Sequence, residues 1–187
     1  SGVGDLLPAH KRYLRGRGFD PDELTKLWRI QGIGIAERLS WRIFIPIHFH
    51  GEPVSWTTRS ISDEGTRYKS AAAHEEALPH KRLLFGECFC RYGVIVTEGP
   101  FDAFRIGPGA VATLGQVCTQ SQVLRLSRYL VRIVCLDAQP EAQKRARKLC
   151  DALEPFPGKT CNVLLDSGKD PGSASPKEIN CLRNMLD

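Results

Sequence analysis

The sequence has 187 residues, 42% of them apolar and 25% charged, and this composition is typical of a folded globular protein. No stretch approaches the roughly 18 apolar residues that a membrane-spanning helix needs, so we expect no membrane partner. The net charge of +5 at pH 7 fits an anionic partner, but the basic residues are spread over the whole chain and locate no nucleic-acid surface.

The first half of the chain contains both helical and strand-like sequence patterns. Asp20 as N-cap, a proline in the first turn and Glu23 three residues after the cap predict the start of a helix. Residues 41–50 and 54–61 are rich in branched and aromatic side chains and flank a Gly-Glu-Pro segment, which predicts an antiparallel hairpin. We therefore assign residues 1–90 to an N-terminal lobe that contains both α and β structure.

Residues 91–187 alternate between short apolar runs and helical patterns. Such alternation with short links predicts an α/β domain, in which a parallel sheet is flanked by helices. The four predicted strands are Val94–Val96, Ala110–Leu114, Val131–Leu136 and Cys161–Leu165. The predicted helices are Thr119–Leu130, Pro140–Leu153 and a last one that starts at Ser175.

The seven cysteines match no familiar metal or disulfide pattern. Cys88 and Cys90 are the nearest pair, and no Cys-x-x-Cys or zinc-finger spacing occurs. Both a structural zinc site and a disulfide scaffold are disfavoured, and we expect reduced cysteines in a cytoplasmic protein.

Carboxylates follow three of the predicted strands. Glu98 and Asp102 follow the first, Asp137 closes the third, and Asp166 and Asp170 follow the fourth. Ligands of parallel α/β sheets bind at this edge, and clustered carboxylates repel each other unless a cation or a proton intervenes. Any one of these acids could be a helix cap or a loop residue, but their coincidence predicts a site for Mg²⁺ or Mn²⁺ and phosphate groups.

The acidic motifs also occur in a characteristic order. The segments Glu98–Asp102, Val111–Gly115, the strand-closing Asp137 and Lys169–Pro171 resemble the Toprim domain, which bacterial and phage primases share with topoisomerases and some nucleases. Segments of the first lobe are similar to the start and strand pair of the primase polymerase core. They are Tyr13–Phe19, Arg42–Ile47 with Gly51 and Arg59, Arg67–Ser70 and Lys81–Gly86.

The resemblance covers almost the whole chain and implies a function. It implies a DNA primase catalytic core, a nucleotidyltransferase that makes short RNA primers on single-stranded DNA during replication. Glu98, Asp102 and Asp137 would be catalytic and, with Asp170, would hold Mg²⁺ or Mn²⁺. The implied partners are a single-stranded DNA template, nucleoside triphosphates and a replicative helicase or helicase domain.

The resemblance further implies five basic residues that contact template or nucleotide phosphates. The alternative interpretation is an ordinary solvated surface. The five residues are Arg59, Arg67, Lys69, Lys81 and Lys169.

Two positions depart from the usual primase pattern. Gln139 stands where a second acid usually follows Asp137, and Gly172 stands where an acid usually follows Asp170. The loss of charge leaves two alternatives open: a Toprim-fold module with a weakened metal site that binds single-stranded DNA or a replication partner, and a Toprim nuclease. The small size and these departures favour a phage or mobile-element protein.

Overall fold

The computed structural model describes residues 2–62 and 65–186. The chain forms two compact units that divide between His80 and Lys81. Each unit has its own β-sheet, and the two sheets differ in strand direction.

The first unit is built on an antiparallel sheet with the strand order β1-β2-β3-β4-β5. Its strands are β1 (Val3–Gly4), β2 (Gln31–Ile33), β3 (Arg42–Phe49), β4 (Glu52–Ser60) and β5 (Tyr68–Ser70), and its helices are α1 (Pro8–Gly16) and α2 (Pro21–Trp28). Short 3₁₀ turns follow at Ala73–Glu75 and His80–Arg82.

The predicted hairpin and helix start of this unit are confirmed. Strands β3 and β4 pair in antiparallel fashion, and the residues between them, His50 and Gly51, both have positive φ, as a two-residue hairpin turn requires. The side chain of Asp20 accepts hydrogen bonds from the backbone N–H groups of Asp22 and Glu23, at 2.8 and 3.3 Å. It thereby caps α2 as the sequence predicts.

The second unit is the predicted α/β domain, with a parallel sheet of order β7-β6-β8-β9. Its strands are β6 (Gly93–Thr97), β7 (Ala110–Ala112), β8 (Val131–Val134) and β9 (Lys159–Asn162). Its helices are α3 (Pro100–Ile106), α4 (Gln120–Leu126), α5 (Pro140–Leu153) and α6 (Pro176–Asn184), with 3₁₀ turns at Glu87–Phe89 and Pro171–Ser173.

The central strands of this sheet are buried on both faces. Val94 and Val96 of β6 share a core with Leu126 and Leu149, which belong to α4 and α5. Ile95, between them in the sequence, is also fully buried on the opposite face. Burial on both faces explains why these strands appear as continuous apolar runs rather than alternating ones.

The fourth strand differs from its prediction. It begins at Lys159 and ends at Asn162, earlier than the predicted Cys161–Leu165. It is an edge strand whose side chains are mostly exposed, so it lacks the apolar pattern that marks the inner strands. Asp166 and Asp170 therefore follow an exposed strand, not a buried one.

The segment just after residue 80 packs within the second unit. Leu84 belongs to its core, and Phe85 exchanges two backbone hydrogen bonds of 3.0 Å with Ala112 of β7. Among the described residues, no helix is both long and apolar enough to cross a membrane.

The order of the parallel strands creates a switch point. The chain passes from the central β6 to β7 on one side, and it then returns to place β8 on the other side of β6. Crevices at such points, beyond the carboxyl ends of the strands, are the usual ligand sites of open α/β sheets.

Candidate functional site

The predicted carboxylates lie at this carboxyl edge. Glu98 follows β6, Asp137 follows the end of β8, and Asp102 is in the first turn of α3. Asp170 immediately precedes the 3₁₀ turn that packs against α3. The structure thus brings together the four acids that the resemblance assigned to the metal.

Asp102 is the most perturbed of the four. Its Oδ2 accepts a hydrogen bond of 3.0 Å from the backbone N–H of Gly99, which closes the first turn of α3. Burial, together with the negative charges of Asp137, Asp170 and Glu98, raises the pKa of Asp102 to about 7 against the opposing hydrogen bond from Gly99. A positive ion at this edge would relieve that repulsion.

Asp137 is held through its backbone. The side-chain amide of Gln143, on α5, donates a 2.8 Å hydrogen bond to the carbonyl oxygen of Asp137. Gln143 in turn accepts a hydrogen bond from Asn162, also at 2.8 Å. Burial raises the pKa of Asp137, Glu98 and Asp170 add to the rise, and the charge of Arg145 opposes it.

Gly172 lies between two of the carboxylates. A Cβ atom on Gly172 would stand 2.7 Å from Oδ1 of Asp102 and 3.1 Å from Oδ1 of Asp170. Both oxygens therefore lie within 3.1 Å of one point. The glycine departure has a physical reason, since any side chain at this position would displace an acid of the site.

Glu98 has a partner that the sequence did not reveal. Arg145 of α5 donates a short hydrogen bond from Nη2 to Oε1 of Glu98 and forms an ion pair with it. The Nε of Arg145 is buried, and it has no hydrogen-bond partner in the described part of the chain. The pair joins residues that are far apart in the sequence, and an arginine in a helix rich in basic residues gives no local signal of such a role.

Gln139, the other departure, lies beside the acids. It is the exposed N-cap residue of α5, and its side chain makes no capping hydrogen bond. It lines a shallow depression together with Asp137, Lys169 and Asp170. A carboxylate at residue 139 would therefore have room and would face the same depression.

Two of the predicted basic residues are in this unit. Lys169 is exposed at the rim of the depression. Lys81 is half-buried, and its Nζ donates a 2.7 Å hydrogen bond to the carbonyl of Leu114, in the loop after β7. That loop contacts the backbone at Glu98 through a 3.3 Å hydrogen bond from Gly115, and burial lowers the pKa of Lys81.

The other three basic residues are in the first unit. Arg67 is exposed, and Lys69, also exposed, donates to the carbonyl of Arg38 at 3.3 Å. Arg59 is only 8% exposed, and it donates to the hydroxyl of Tyr13 at 3.1 Å and stands over the ring of Tyr68. Arg59 thus makes internal contacts, whereas Arg67 and Lys69 present their charges to solvent.

The donor set fits a divalent cation in its chemistry. Carboxylate oxygens are the ligands that Mg²⁺ and Mn²⁺ prefer, and these four repel one another. Within residues 2–62 and 65–186, however, no three acidic, histidine or cysteine side chains are grouped closely enough to hold a metal ion. Metal binding would require some of these side chains to turn. The site is thus a group of carboxylates at a sheet switch point, with donors of the type that divalent cations prefer.

Solved structures similar to this chain are primase catalytic cores. The DnaG catalytic core superimposes with a TM-score of 0.82 at 18% identity, covering 96% of this chain and 72% of that one. The DnaG catalytic domain bound to single-stranded DNA gives 0.81 at 17% identity, with the same coverage. The primase fragment of the bacteriophage T7 primase-helicase gives 0.65 at 16% identity, covering 99% of this chain and 77% of the fragment. The chain therefore has the primase catalytic-core fold.

A curated sequence relative agrees with the fold. The DNA primase of Synechococcus elongatus is 34% identical over 113 residues, which cover 54% of this chain and 16% of that protein. No model of a known protein family matches the sequence. The resemblance to primase catalytic cores read from the sequence is confirmed by the solved structures and by this relative.

Proposed function

We propose that this chain is the catalytic core of a DNA primase, which joins ribonucleotides into short primers on single-stranded DNA in a metal-dependent reaction. The observation that carries the proposal is the group of mutually repelling acids, Glu98, Asp102, Asp137 and Asp170, at the switch point of a sheet with the primase-core fold. The matched relative is a much longer primase, so the activity is proposed for this chain and not transferred from that protein.

The acids would hold Mg²⁺ or Mn²⁺. When bound, the ion would neutralise the triphosphate of the incoming nucleotide and lower the pKa of the attacking hydroxyl. Asp102 is anchored to the first turn of α3, and Asp137 is anchored through Gln143, so both offer their oxygens from fixed backbone positions. Catalysis at this site would rest on positioning and charge neutralisation.

The basic residues would bind phosphates. Lys169 stands at the rim of the acidic depression and suits the nucleotide triphosphate, and Lys81 lies beside the neighbouring loop. Arg67 and Lys69 are exposed and suit the template backbone, where contacts give affinity without sequence choice. Arg59 would support that surface through Tyr13 and Tyr68 rather than reach a phosphate itself.

Two similar proteins support the proposed partners. One DnaG catalytic domain was solved bound to single-stranded DNA, and the T7 fragment comes from a primase-helicase. We therefore propose single-stranded DNA, nucleoside triphosphates and a replicative helicase as partners of this chain.

A primer-synthesis assay with matched variants tests the proposal. Asp137→Asn removes one charge at the carboxyl edge and should lower ribonucleotide incorporation on single-stranded DNA by about a hundredfold or more. Asp151→Asn makes the same change at an exposed position of α5 and should leave incorporation unchanged. Equal activity of the two variants, or no incorporation by wild type with manganese, would refute the proposal.

A second candidate is a binding module with a weakened metal site. It is favoured by the capture of Glu98 by Arg145 and by the lack of a ready-made ligand group among the described residues. Such a module would bind single-stranded DNA equally well with and without a chelator and would make no primers.

The nuclease alternative is tested in the same reactions, since only a nuclease would shorten labelled DNA when metal is present without nucleotides.

A further inference from the structure

Arg145 lies beside two acids of the proposed metal site. It reaches from α5 to the carboxylate of Glu98, and its charge also acts on Asp137. An ion that used Glu98 as a ligand would compete with the guanidinium, because the two cations repel each other and share one carboxylate.

The pair is incomplete on the arginine side. A guanidinium that forms a full fork with a carboxylate uses two N–H groups, but Arg145 contacts Glu98 through Nη2 alone. Its Nε is buried and has no hydrogen-bond partner in residues 2–62 and 65–186. Leaving a buried donor unpaired is costly, so the pair is less stable than a fully hydrogen-bonded one would be.

The two departures from the usual primase pattern increase the weight of the charge on Arg145. Gln139 and Gly172 carry no charge where the resembling sequences usually carry acids, so the edge is less negative and a single internal cation offsets a larger share of its charge. We propose that Arg145 is an internal counter-cation of the metal site, which holds Glu98 while no divalent ion is bound and competes with that ion for it. The inference rests on the proposed metal site and adds a residue that tunes its affinity.

Titration of Mn²⁺ into metal-free protein, followed by calorimetry, tests the competition. Removing the competitor with Arg145→Gln should tighten Mn²⁺ binding by roughly tenfold, since one positive charge beside the site is lost. Arg147→Gln is the matched control, because it makes the same change at an exposed position of the same helix. It should leave Mn²⁺ binding unchanged. The circular dichroism of each variant checks that it folds.

A double variant separates competition from a general charge effect. Glu98→Gln removes the shared carboxylate, so adding Arg145→Gln to it should no longer tighten Mn²⁺ binding. A gain that persists in the double variant, or a gain equal to that of Arg147→Gln, would overturn the inference and leave the metal site in place. If neither wild type nor Arg145→Gln binds Mn²⁺, alone or with ATP, the metal step of the proposed function fails together with the inference.

Arg145→Lys tests whether Arg145→Gln acts only by disturbing the packing of α5. Lysine keeps the charge and the helix, so it should hold Mn²⁺ affinity close to wild type. Tighter binding in Arg145→Lys equal to that in Arg145→Gln would show that packing, not charge, controls the site, and this result would also overturn the inference.

Discussion

Two buried charges, Arg42 in the first unit and Asp102 in the second, have opposite surroundings. In the first unit, Arg42 is 4% exposed, and its guanidinium donates to Thr58 Oγ1 at 2.7 Å and to the carbonyls of Thr66 and Arg67 at 3.0 and 2.9 Å. In the second unit, the partly buried Asp102 receives one backbone hydrogen bond and otherwise faces three further acids.

The difference fits a structural role for Arg42 and the proposed functional role for Asp102. Arg42 donates its hydrogen bonds to neutral acceptors, and it ties the inner strands β3 and β4 to the segment before β5 without any ligand. Asp102 raises the energy of the folded protein unless a proton or a cation neutralises the group. Such a destabilising group of carboxylates is expected where a protein binds a cation.

The largest effect on stability is expected when the structural residue Arg42 is replaced. Arg42→Ala leaves Thr58, Thr66 and Arg67 with acceptors that lose their donor, and it should lower the free energy of unfolding by about 3 kcal/mol or more. Urea denaturation measures the change. Arg38→Ala is the control, since Arg38 forms an exposed ion pair and its loss should cost less than about 1 kcal/mol.

The second prediction concerns the tight packing between the acids. Gly172→Ala would place its Cβ 2.7 Å from Asp102 Oδ1, so we expect a loss of about 1–3 kcal/mol in unfolding free energy and a fall in primer synthesis. Gly16→Ala, in the last turn of α1, meets nothing within 4 Å and should be neutral or slightly stabilising. Equal unfolding free energies for the two variants would contradict this account of Gly172.

Much of this arrangement could be predicted from the sequence because local patterns determine it. The apolar runs at Val94–Val96 and Val131–Leu136, with the helix starts at Asp20 and Ser175, gave strands and caps that the structure confirms. The carboxylates were predicted because strand ends in a parallel sheet share one edge. Strand β9 was misplaced, since an exposed edge strand carries no apolar signal.

The rest depends on contacts between distant segments. The pairing of Arg145 with Glu98 and the narrow space at Gly172 arise only when α5, α3 and the turn at Pro171–Ser173 are packed together. Nothing local to Arg59 distinguishes a surface arginine from one that packs on Tyr13 and Tyr68. Such residues could not be sorted into structural and functional ones before the fold was known.

The third prediction follows from the pKa of Asp102. The folded pKa of about 7 exceeds the usual value of 3.8, so the folded state binds the proton more tightly. Stability of the metal-free protein therefore falls as pH rises between these two values and levels off above about 7. Asp102→Asn removes this contribution, so its stability relative to wild type should rise by about 2–3 kcal/mol between about pH 5 and about pH 8.

Urea denaturation in the presence of a chelator, from about pH 5 to about pH 8, measures the Asp102 effect. The control is Asp151→Asn, whose difference from wild type should stay within about 0.5 kcal/mol at every pH because the residue is exposed. A stability difference between Asp102→Asn and wild type that does not grow with pH would mean that Asp102 is not strained by its neighbours.

The smallest effect is predicted for a variant that restores a negative charge beside the acids. Gln139→Asp supplies an N-cap side chain to α5, which should add about 0.5–1 kcal/mol of stability, and it places a carboxylate beside Asp137 and Asp170. Gln139→Ser caps the helix without a charge, so it should be the more stable of the two in metal-free protein, whereas Gln139→Asp should bind Mn²⁺ more tightly. Equal Mn²⁺ affinity would show that residue 139 faces the acids without acting on the ion. The departure at Gln139 would then be neutral, and Gly172 and Arg145 would be left to explain a weakened site.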